Sequence, residues 1–263
     1  MTAIARLRKL TRLLRHLWIP AVGLAIVVGA LWLDHTHPGR QLVPMPATHA
    51  IGPGIGIDIT RPNGTHGISC TAGFLVHTRD GRPALLSAGH CNEPGTDGTV
   101  SIHHGGLYKY PIVGRFAESV YGGNDWNDFD IGLITLDDGA GGKIPLTSDV
   151  DGHPVAGLAE QVEPGDILCH FGIRSGEAVC GAAVAVEENK VRFVANGRCG
   201  DSGGPVYRLR PDGEAEAVGI YIEVSNGDYS EPKCDEPHEY SIAQLIKPWL
   251  KAWDLTLVTG TGS

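Results

Sequence analysis

The glycine and proline content of this chain suits short strands joined by many turns better than a fold built from long helices. The sequence holds 37 Gly and 17 Pro in 263 residues, and the apolar runs between them are short. Because glycine and proline mark turns while short apolar runs suit strands, the sequence predicts an all-β protein. We expect two small antiparallel β-barrels, one before and one after about residue 145, since a double barrel uses roughly 200 residues as one unit.

Two turn signals support this prediction. Asp80-Gly81 lies between the apolar runs 73–77 and 83–87, and Asp-Gly is the strongest short-range signal for a hairpin. Pro211-Asp212-Gly213 separates two further apolar runs and predicts a second hairpin.

The end of the chain predicts a short helix. Apolar residues recur at helical spacing between 242 and 253, although Pro248 stands in the middle of this segment. The segment 131–136 has no such spacing, and its continuous apolar run predicts a strand.

The N-terminal part combines a basic end with an apolar run. Residues 1–16 carry five Lys/Arg, and Leu17–Leu33 holds no charged side chain. A helix of this length spans about 26 Å, which suits either a secretory signal peptide or an uncleaved transmembrane signal anchor. We favour the anchor, because Leu31, Trp32 and Leu33 continue past the small residues 28–30. In both cases residues 1–16 stay cytoplasmic and the rest is exported.

The segment that follows predicts a tether. Residues 34–53 are rich in Pro, Gly and His and show no hydrophobic periodicity. We therefore expect the folded domain at residues 54–256.

The part of the chain that we expect to be exported is strongly acidic. Residues 1–40 hold six Lys/Arg and one acid, which leaves 15 basic and 29 acidic residues and a net charge of −14 in the rest. Such an acidic body is a poor partner for nucleic acid.

All six cysteines lie in this part, and their even number predicts three disulfides in a secreted or membrane-anchored protein: Cys70, Cys91, Cys169, Cys180, Cys199 and Cys234.

The sequence offers no spacing that is typical of a metal site. There is no Cys-x-x-Cys pair, and the histidine pairs His35/His37 and His103/His104 stand beside Gly or Pro, where we interpret them as solvated loop residues. We expect neither a metal nor another cofactor.

The most specific motif is Gly200-Asp201-Ser202-Gly203-Gly204-Pro205. A nucleophilic serine needs an exposed hydroxyl and backbone N–H groups aimed at the reacting carbonyl, and glycines allow the backbone to come that close. We predict Ser202 as a nucleophile, with the amides of Gly200 and Ser202 as its oxyanion hole.

A serine hydroxyl needs a base, and a base needs an orienting carboxylate. Ser87-Ala88-Gly89-His90-Cys91 ends an apolar strand and supplies His90 as the base. Asp130 directly precedes the apolar strand 131–136 and is the preferred carboxylate. Asp125 and Asp128 are alternatives, but their surroundings are those of a polar loop.

These three motifs together resemble the chymotrypsin/trypsin-like serine proteases, in their bacterial secreted, streptogrisin-like branch. Ser-Ala-Gly-His-Cys, Asp-Ile-Gly-Leu and Gly-Asp-Ser-Gly-Gly-Pro occur in the family's order, and the similarity runs from about residue 54 to the segment 240–253. The resemblance implies a double β-barrel with the site in the cleft between the barrels, and a serine-type endopeptidase (a hydrolase) with a polypeptide substrate. It also implies the disulfides Cys70–Cys91, Cys169–Cys180 and Cys199–Cys234.

The chain departs from the family in its specificity region. Cys199 stands only three residues before Ser202, and the segment 221–224 replaces the usual Ser-Trp-Gly. The activating Ile-Val-Gly-Gly terminus of animal zymogens is missing, so Asp201 needs another partner.

The specificity pocket is expected to lack an acid at its base. Counting back from Ser202 places the base near Asn196 or Gly197, followed by Arg198. If Arg198 points outward, a neutral pocket accepts small or apolar residues. If it points inward, with Glu223 as a candidate to balance its charge, acidic residues are favoured. Both cases disfavour cleavage after Lys or Arg.

Other functions fit the sequence less well. A protease fold without activity, used as a binding module at the cell surface, is the main alternative, because a fold alone does not prove activity. An α/β-hydrolase esterase would need the order Ser, acid, His, and the order here is His, Asp, Ser.

Overall fold

The computed structural model describes residues 45–61, 66–92, 97–105, 109–123, 126–138, 144–225 and 238–260. The predicted signal or anchor segment Leu17–Leu33 and residues 34–44 of the predicted tether lie outside this part. Within the part that is described, no helix has the length and apolar character needed to cross a bilayer.

The described residues form two β-sheets. The strands of the first sheet are β1 (Gly56–Thr60), β2 (His66–Thr71), β3 (Leu75–His77), β4 (Pro83–Ser87), β5 (Thr99–Ser101), β6 (Ile112–Tyr121), β7 (Asp130–Leu136) and, from the end of the chain, β15 (Thr256–Leu257). Those of the second are β8 (Val155–Leu158), β9 (Ile167–Phe171), β10 (Ala178–Val186), β11 (Lys190–Phe193), β12 (Pro205–Leu209), β13 (Ala215–Ser225) and β14 (Tyr240–Leu245). One helix, α1 (Lys247–Ala252), follows β14.

The second sheet closes into a barrel. Its order is β12-β9-β10-β11-β14-β13, and pairing of β12 with β13 joins the two ends, while β8 adds in parallel outside the ring. The first sheet has the order β15-β3-β4-β7-β6-β5-β1-β2 and, among the described residues, stays open between β15 and β2. The all-β prediction is therefore confirmed. Of the two expected barrels, only the second is closed in the described part.

Both predicted hairpins are present. β3 and β4 pair antiparallel around Asp80-Gly81, with Leu75 opposite Leu85. β12 and β13 pair antiparallel around Pro211-Asp212-Gly213. The predicted strand 131–136 is β7.

The C-terminal helix is shorter than predicted. Residues 242–245 belong to β14, which is hydrogen-bonded on both sides, to β11 and to β13. Two ladders satisfy the backbone of this segment and outweigh the helical spacing of its side chains. The helix begins at Lys247 and places Pro248 in its first turn, where the missing N–H has no helical partner to lose.

The packed chain begins earlier than the sequence predicted. Residues 45–53 were expected in the tether, but Met45 and Ile51 are buried. The Nδ1 atom of His103 donates to the Met45 carbonyl at 2.7 Å, and that of His104 donates to the Thr48 carbonyl at 2.8 Å. These two histidines are therefore structural contacts and not solvated loop residues, and the folded part starts by Met45.

Two hydrophobic clusters fill the fold. The larger one lies in the first sheet, around Phe74 and Leu85, and continues across the junction to Tyr207 and Ile220 of the second. The smaller one fills the barrel around Phe193. Because one cluster spans both sheets, their docking buries apolar surface and holds the two halves together.

The structure contains two of the three disulfides implied by the family resemblance. Cys70–Cys91 joins β2 to the turn after β4, and Cys169–Cys180 joins the neighbouring strands β9 and β10. Cys234 lies outside the described residues, so the pairing Cys199–Cys234 stays a prediction.

Replacing Cys70 and Cys91 by Ser should lower the free energy of unfolding by about 3 kcal/mol, because the bridge closes a loop of 21 residues. The matched control replaces Cys169 and Cys180, which are 11 residues apart and already paired across a hairpin, so its loss should be smaller. Urea unfolding of both variants measures the difference. A larger loss for the Cys169/Cys180 variant would contradict this account.

Candidate active site

His90 and Asp130 come together at the edge of the first sheet. His90 lies in a single 3₁₀ turn, Gly89–Cys91, that follows the buried strand β4, and Asp130 is the first residue of β7. The imidazole Nδ1 lies 2.6 Å from Oδ2 of Asp130, and the His90 backbone N–H donates to Oδ1 at 2.9 Å. One carboxylate thus fixes both the backbone and the ring of His90.

This pair sets the protonation of the ring. The Asp130 side chain is 6% exposed and can only accept when ionised, so the Nδ1 atom of His90 carries a proton. The Nε2 atom of the neutral ring then keeps its lone pair, on the side that is partly open to solvent, where the imidazole is 22% exposed. A base with one free nitrogen and a fixed orientation results.

The surroundings of His90 raise its pKa above the ordinary value. Burial lowers the pKa of the imidazole, but the charge of Asp130 and the hydrogen bond to it raise that pKa, and the charge of Glu223 adds to the increase. The ring of Tyr121 packs edge-on at 5.9 Å and completes the enclosure.

The competing carboxylates do not take this place. Asp128 lies in the turn before β7 beside Gly122 and Gly123 and makes no hydrogen bond to His90 among the described residues. Asp125 lies outside the described residues.

The Ser202 turn connects β11 to β12 and presents two backbone amides. Among the described residues, the N–H groups of Gly200 and Ser202 donate no hydrogen bond, whereas the Asp201 N–H donates to Arg198 and the Gly203 N–H donates to Tyr221. Gly200 has φ of +101°, a conformation that L side chains rarely adopt, so glycine at this position sets the direction of the turn. The two open amides belong to the residues that the sequence assigned to an oxyanion hole.

The Asp201 carboxylate fixes this turn by hydrogen bonds to neighbouring loops. Its fully buried carboxylate accepts from the backbone N–H groups of Arg174 (2.9 Å), Ser175 (3.0 Å) and Arg198 (2.9 Å), and from the Ser175 hydroxyl at 2.5 Å. Four donors are enough to satisfy a buried carboxylate without a cationic amine. Ser175 could not be identified from the sequence, because it lies in a turn 26 residues before Asp201.

The Ser202 turn is docked onto the first sheet. The Thr71 backbone N–H donates to the Ser202 carbonyl at 2.8 Å, and the Thr71 hydroxyl donates to the Gly200 carbonyl at 2.8 Å. Gly203 allows this approach, because a Cβ atom there would lie 2.3 Å from the Thr71 carbonyl oxygen. Cys91 beside His90 also lies against this turn, with Sγ 3.8 Å from the Ser202 carbonyl oxygen.

The hydroxyl of Ser202 is not bonded to His90 in this structure. No hydrogen bond among the described residues joins Ser202 to the imidazole, although the turn and His90 meet at the same junction. Catalytic hydrogen bonds of this kind are often long before substrate binds and shorten in the complex.

Asn196 and Gly197, the residues that were expected at the pocket base, carry no charge. Arg198 is exposed, and its backbone N–H binds Asp201. Beneath Gly197 lies the hydroxyl of Tyr221, 1.9 Å from where a Cβ atom would stand, and this buried ring stacks on His170 at 4.7 Å. Burial raises the pKa of Tyr221 and lowers that of His170, so both remain uncharged. Sequence reasoning singled out Tyr221 only as part of the unusual segment 221–224, and it missed His170, because a ring in a strand usually indicates core packing.

No metal centre is formed by the described residues. The one cluster with metal-ligand chemistry among them is Cys70, His90 and Cys91, and its two sulfurs are joined in a disulfide. A disulfide sulfur is not a thiolate ligand, so this cluster does not suit a metal ion.

Two sequences of mycobacterial origin resemble this chain over part of its length. The uncharacterised protein MT1863 of Mycobacterium tuberculosis is 28% identical over 200 residues, which cover 69% of this chain and 80% of the relative. The uncharacterised protein Rv1815 of the same species is 41% identical over 69 residues, which cover 25% of this chain and 30% of the relative. No protein-family model matches the chain.

Solved structures resemble the fold more extensively. Nocardiopsis protease superimposes with a TM-score of 0.58 at 24% identity, covering 79% of this chain and 98% of its own. Thermobifida fusca protease A gives 0.57 at 23% identity, with 80% and 100% covered, and Cellulomonas bogoriensis chymotrypsin gives 0.56 at 22%, again with 80% and 100%. The chain has the fold of the bacterial chymotrypsin-like serine proteases.

Proposed function

We propose that this protein is an extracytoplasmic serine endopeptidase that hydrolyses polypeptides through an acyl-enzyme. Ser202 is the nucleophile, His90 the general base and acid, and Asp130 the carboxylate that orients His90. The observation that carries the proposal is the grip of Asp130 on His90 at 2.6 and 2.9 Å, which leaves Nε2 as the free basic atom at the junction with the Ser202 turn.

The reaction follows from these groups. The Ser202 oxygen attacks the peptide carbonyl while Nε2 of His90 takes the hydroxyl proton. The carbonyl oxygen becomes an oxyanion and accepts hydrogen bonds from the open N–H groups of Gly200 and Ser202. The C–N bond then breaks as His90 returns the proton to the leaving amine. Water, deprotonated by His90, hydrolyses the ester and restores Ser202.

The main alternative is a binding module without activity. A fold used only for recognition has no need for two unpaired amides beside a serine or for a buried carboxylate fixed on an imidazole. Both features have a use in acyl transfer, so they support the enzyme.

Two disulfides fit an extracytoplasmic location, because such bridges persist in oxidising surroundings. Retention at the membrane through Leu17–Leu33 is the part of this proposal that rests on sequence alone.

Ser202→Ala should abolish peptide hydrolysis, with a loss of kcat on the order of 10⁵- to 10⁶-fold, because no other group replaces the nucleophile. The matched control is Ser101→Ala in β5, which should keep wild-type activity, because Ser101 pairs with the Ile112 end of β6 while His90 lies beside Tyr121 at the other end. Hydrolysis of a quenched fluorescent polypeptide measures both variants. Full activity of Ser202→Ala would overturn the assignment.

Activity should fall as the pH is lowered through the raised pKa of His90, because a protonated imidazole cannot accept the Ser202 proton. The acid limb of kcat/KM is therefore expected above pH 6.5, the ordinary value for histidine. A pH profile of kcat/KM in buffers of constant ionic strength tests this. An acid limb at or below that of a free imidazole would contradict the role of Asp130.

The substrate residue before the cleaved bond should be small and uncharged. Arg198 is exposed and the buried Tyr221 ring lies under Gly197, which together support a shallow neutral pocket. Peptide nitroanilides that differ only in this residue should be cleaved at least about 10-fold better after Ala than after Lys. Arg198→Ala should leave the profile unchanged. A profile dominated by Lys or Arg would contradict this prediction and point to Glu223.

A further inference from the structure

We propose that Gln244 is a positioning residue of the site, which holds Asp130 in place from the opposite sheet. This inference rests on the function proposed above, because it assigns Gln244 a task in orienting Asp130 for His90.

Gln244 is fully buried and is the next-to-last residue of β14. Its Oε1 atom accepts from the Asp130 backbone N–H at 3.2 Å, and its Nε2 atom donates to the Asn189 carbonyl at 2.8 Å. The Asp130 N–H can only donate and the Asn189 carbonyl can only accept, so the oxygen of the Gln244 amide must face Asp130. Gln244 therefore links the backbone of the second sheet to the first residue of β7.

The Asp130 N–H needs a partner from outside its own sheet. The Gly122 N–H donates to the Phe129 carbonyl, so the backbone polar groups of Phe129 point towards β6. In an antiparallel ladder these groups alternate in direction, so the N–H of Asp130 points the other way, towards β4. The last rung between β4 and β7 is Ser87 with Gly132, and β4 ends there. The N–H of Asp130 would be buried and unpaired beyond this point, and the Gln244 side chain supplies the missing acceptor.

The Asp130 carboxylate, unlike the Asp130 backbone, receives no hydrogen bond from the second sheet among the described residues. Among the described residues, both hydrogen bonds that it accepts come from His90, the group it must orient. The position of Asp130 therefore depends on its backbone, and the backbone depends on Gln244.

Gln244→Met tests this role, because Met has a similar length and no hydrogen-bonding amide. We expect kcat to fall by about 10- to 100-fold, as for a shift of about 1 Å in a catalytic group, with KM nearly unchanged. A displaced Asp130 raises the pKa of His90 less, so the acid limb of kcat should also move to lower pH. The other groups around His90 that bear on this limb, Glu223 and Tyr121, are unchanged in the variant.

Two further variants separate positioning from stability. Gln244→Glu keeps an oxygen that accepts from Asp130 and should retain more of kcat than Gln244→Met. Val191→Ala removes packing from the same barrel without touching Asp130, and it should lower the melting temperature while leaving kcat and the acid limb as in the wild type. Melting curves of all three variants establish the temperature at which each is folded.

The inference is overturned if Gln244→Met has the same kcat as Val191→Ala and its acid limb lies at the same pH. It is also overturned if Gln244→Glu loses as much kcat as Gln244→Met at a temperature where both are folded. Reaction of the wild-type protein with a fluorophosphonate distinguishes this failure from that of the proposed function. Wild-type protein that does not react refutes the protease, whereas a Gln244→Met variant that reacts at the wild-type rate refutes only the role of Gln244.

Discussion

The site exists only while the Ser202 turn stays hydrogen-bonded to the end of β2. His90 and Asp130 belong to the first sheet and Ser202 to the second, so neither half can perform the proposed chemistry alone. Thr71 joins them by donating to the carbonyls of both Ser202 and Gly200. This docking uses the carbonyls of Gly200 and Ser202 and not their N–H groups, which donate no hydrogen bond among the described residues.

Other contacts across the junction act in the same direction. The guanidinium of Arg192 in β11 lies 5.0 Å from the ring of Trp126, which precedes β7, and the ammonium of Lys190 lies 5.9 Å from that ring. Such cation–π contacts contribute roughly 0.5 to 2 kcal/mol each, more where water is excluded. Together with the hydrogen bond from Asp130 to Gln244, these contacts hold the loop before Asp130 against the second sheet.

The sequence predicted the parts of this site that depend on local chemistry. A serine in a glycine-rich motif, a histidine at the end of a buried strand and an aspartate at the start of another could be identified from the sequence, as could the two hairpins. Contacts between distant segments were not readable. Ser175 and Gln244 have no local signal, because their partners Asp201 and Asp130 lie 26 and 114 residues away. The helical spacing of 242–253 misled for a related reason, since ladders to two strands decide the conformation of 242–245.

The central claim is that Ser202 is a nucleophile activated across the junction by His90. Treatment with a fluorophosphonate followed by peptide mapping tests it most directly, because the reagent bonds covalently only to an activated serine. The account predicts one adduct, on Ser202, whose formation is lost in His90→Ala. A protein that stays unlabelled while folded, or an adduct on another residue, would contradict it.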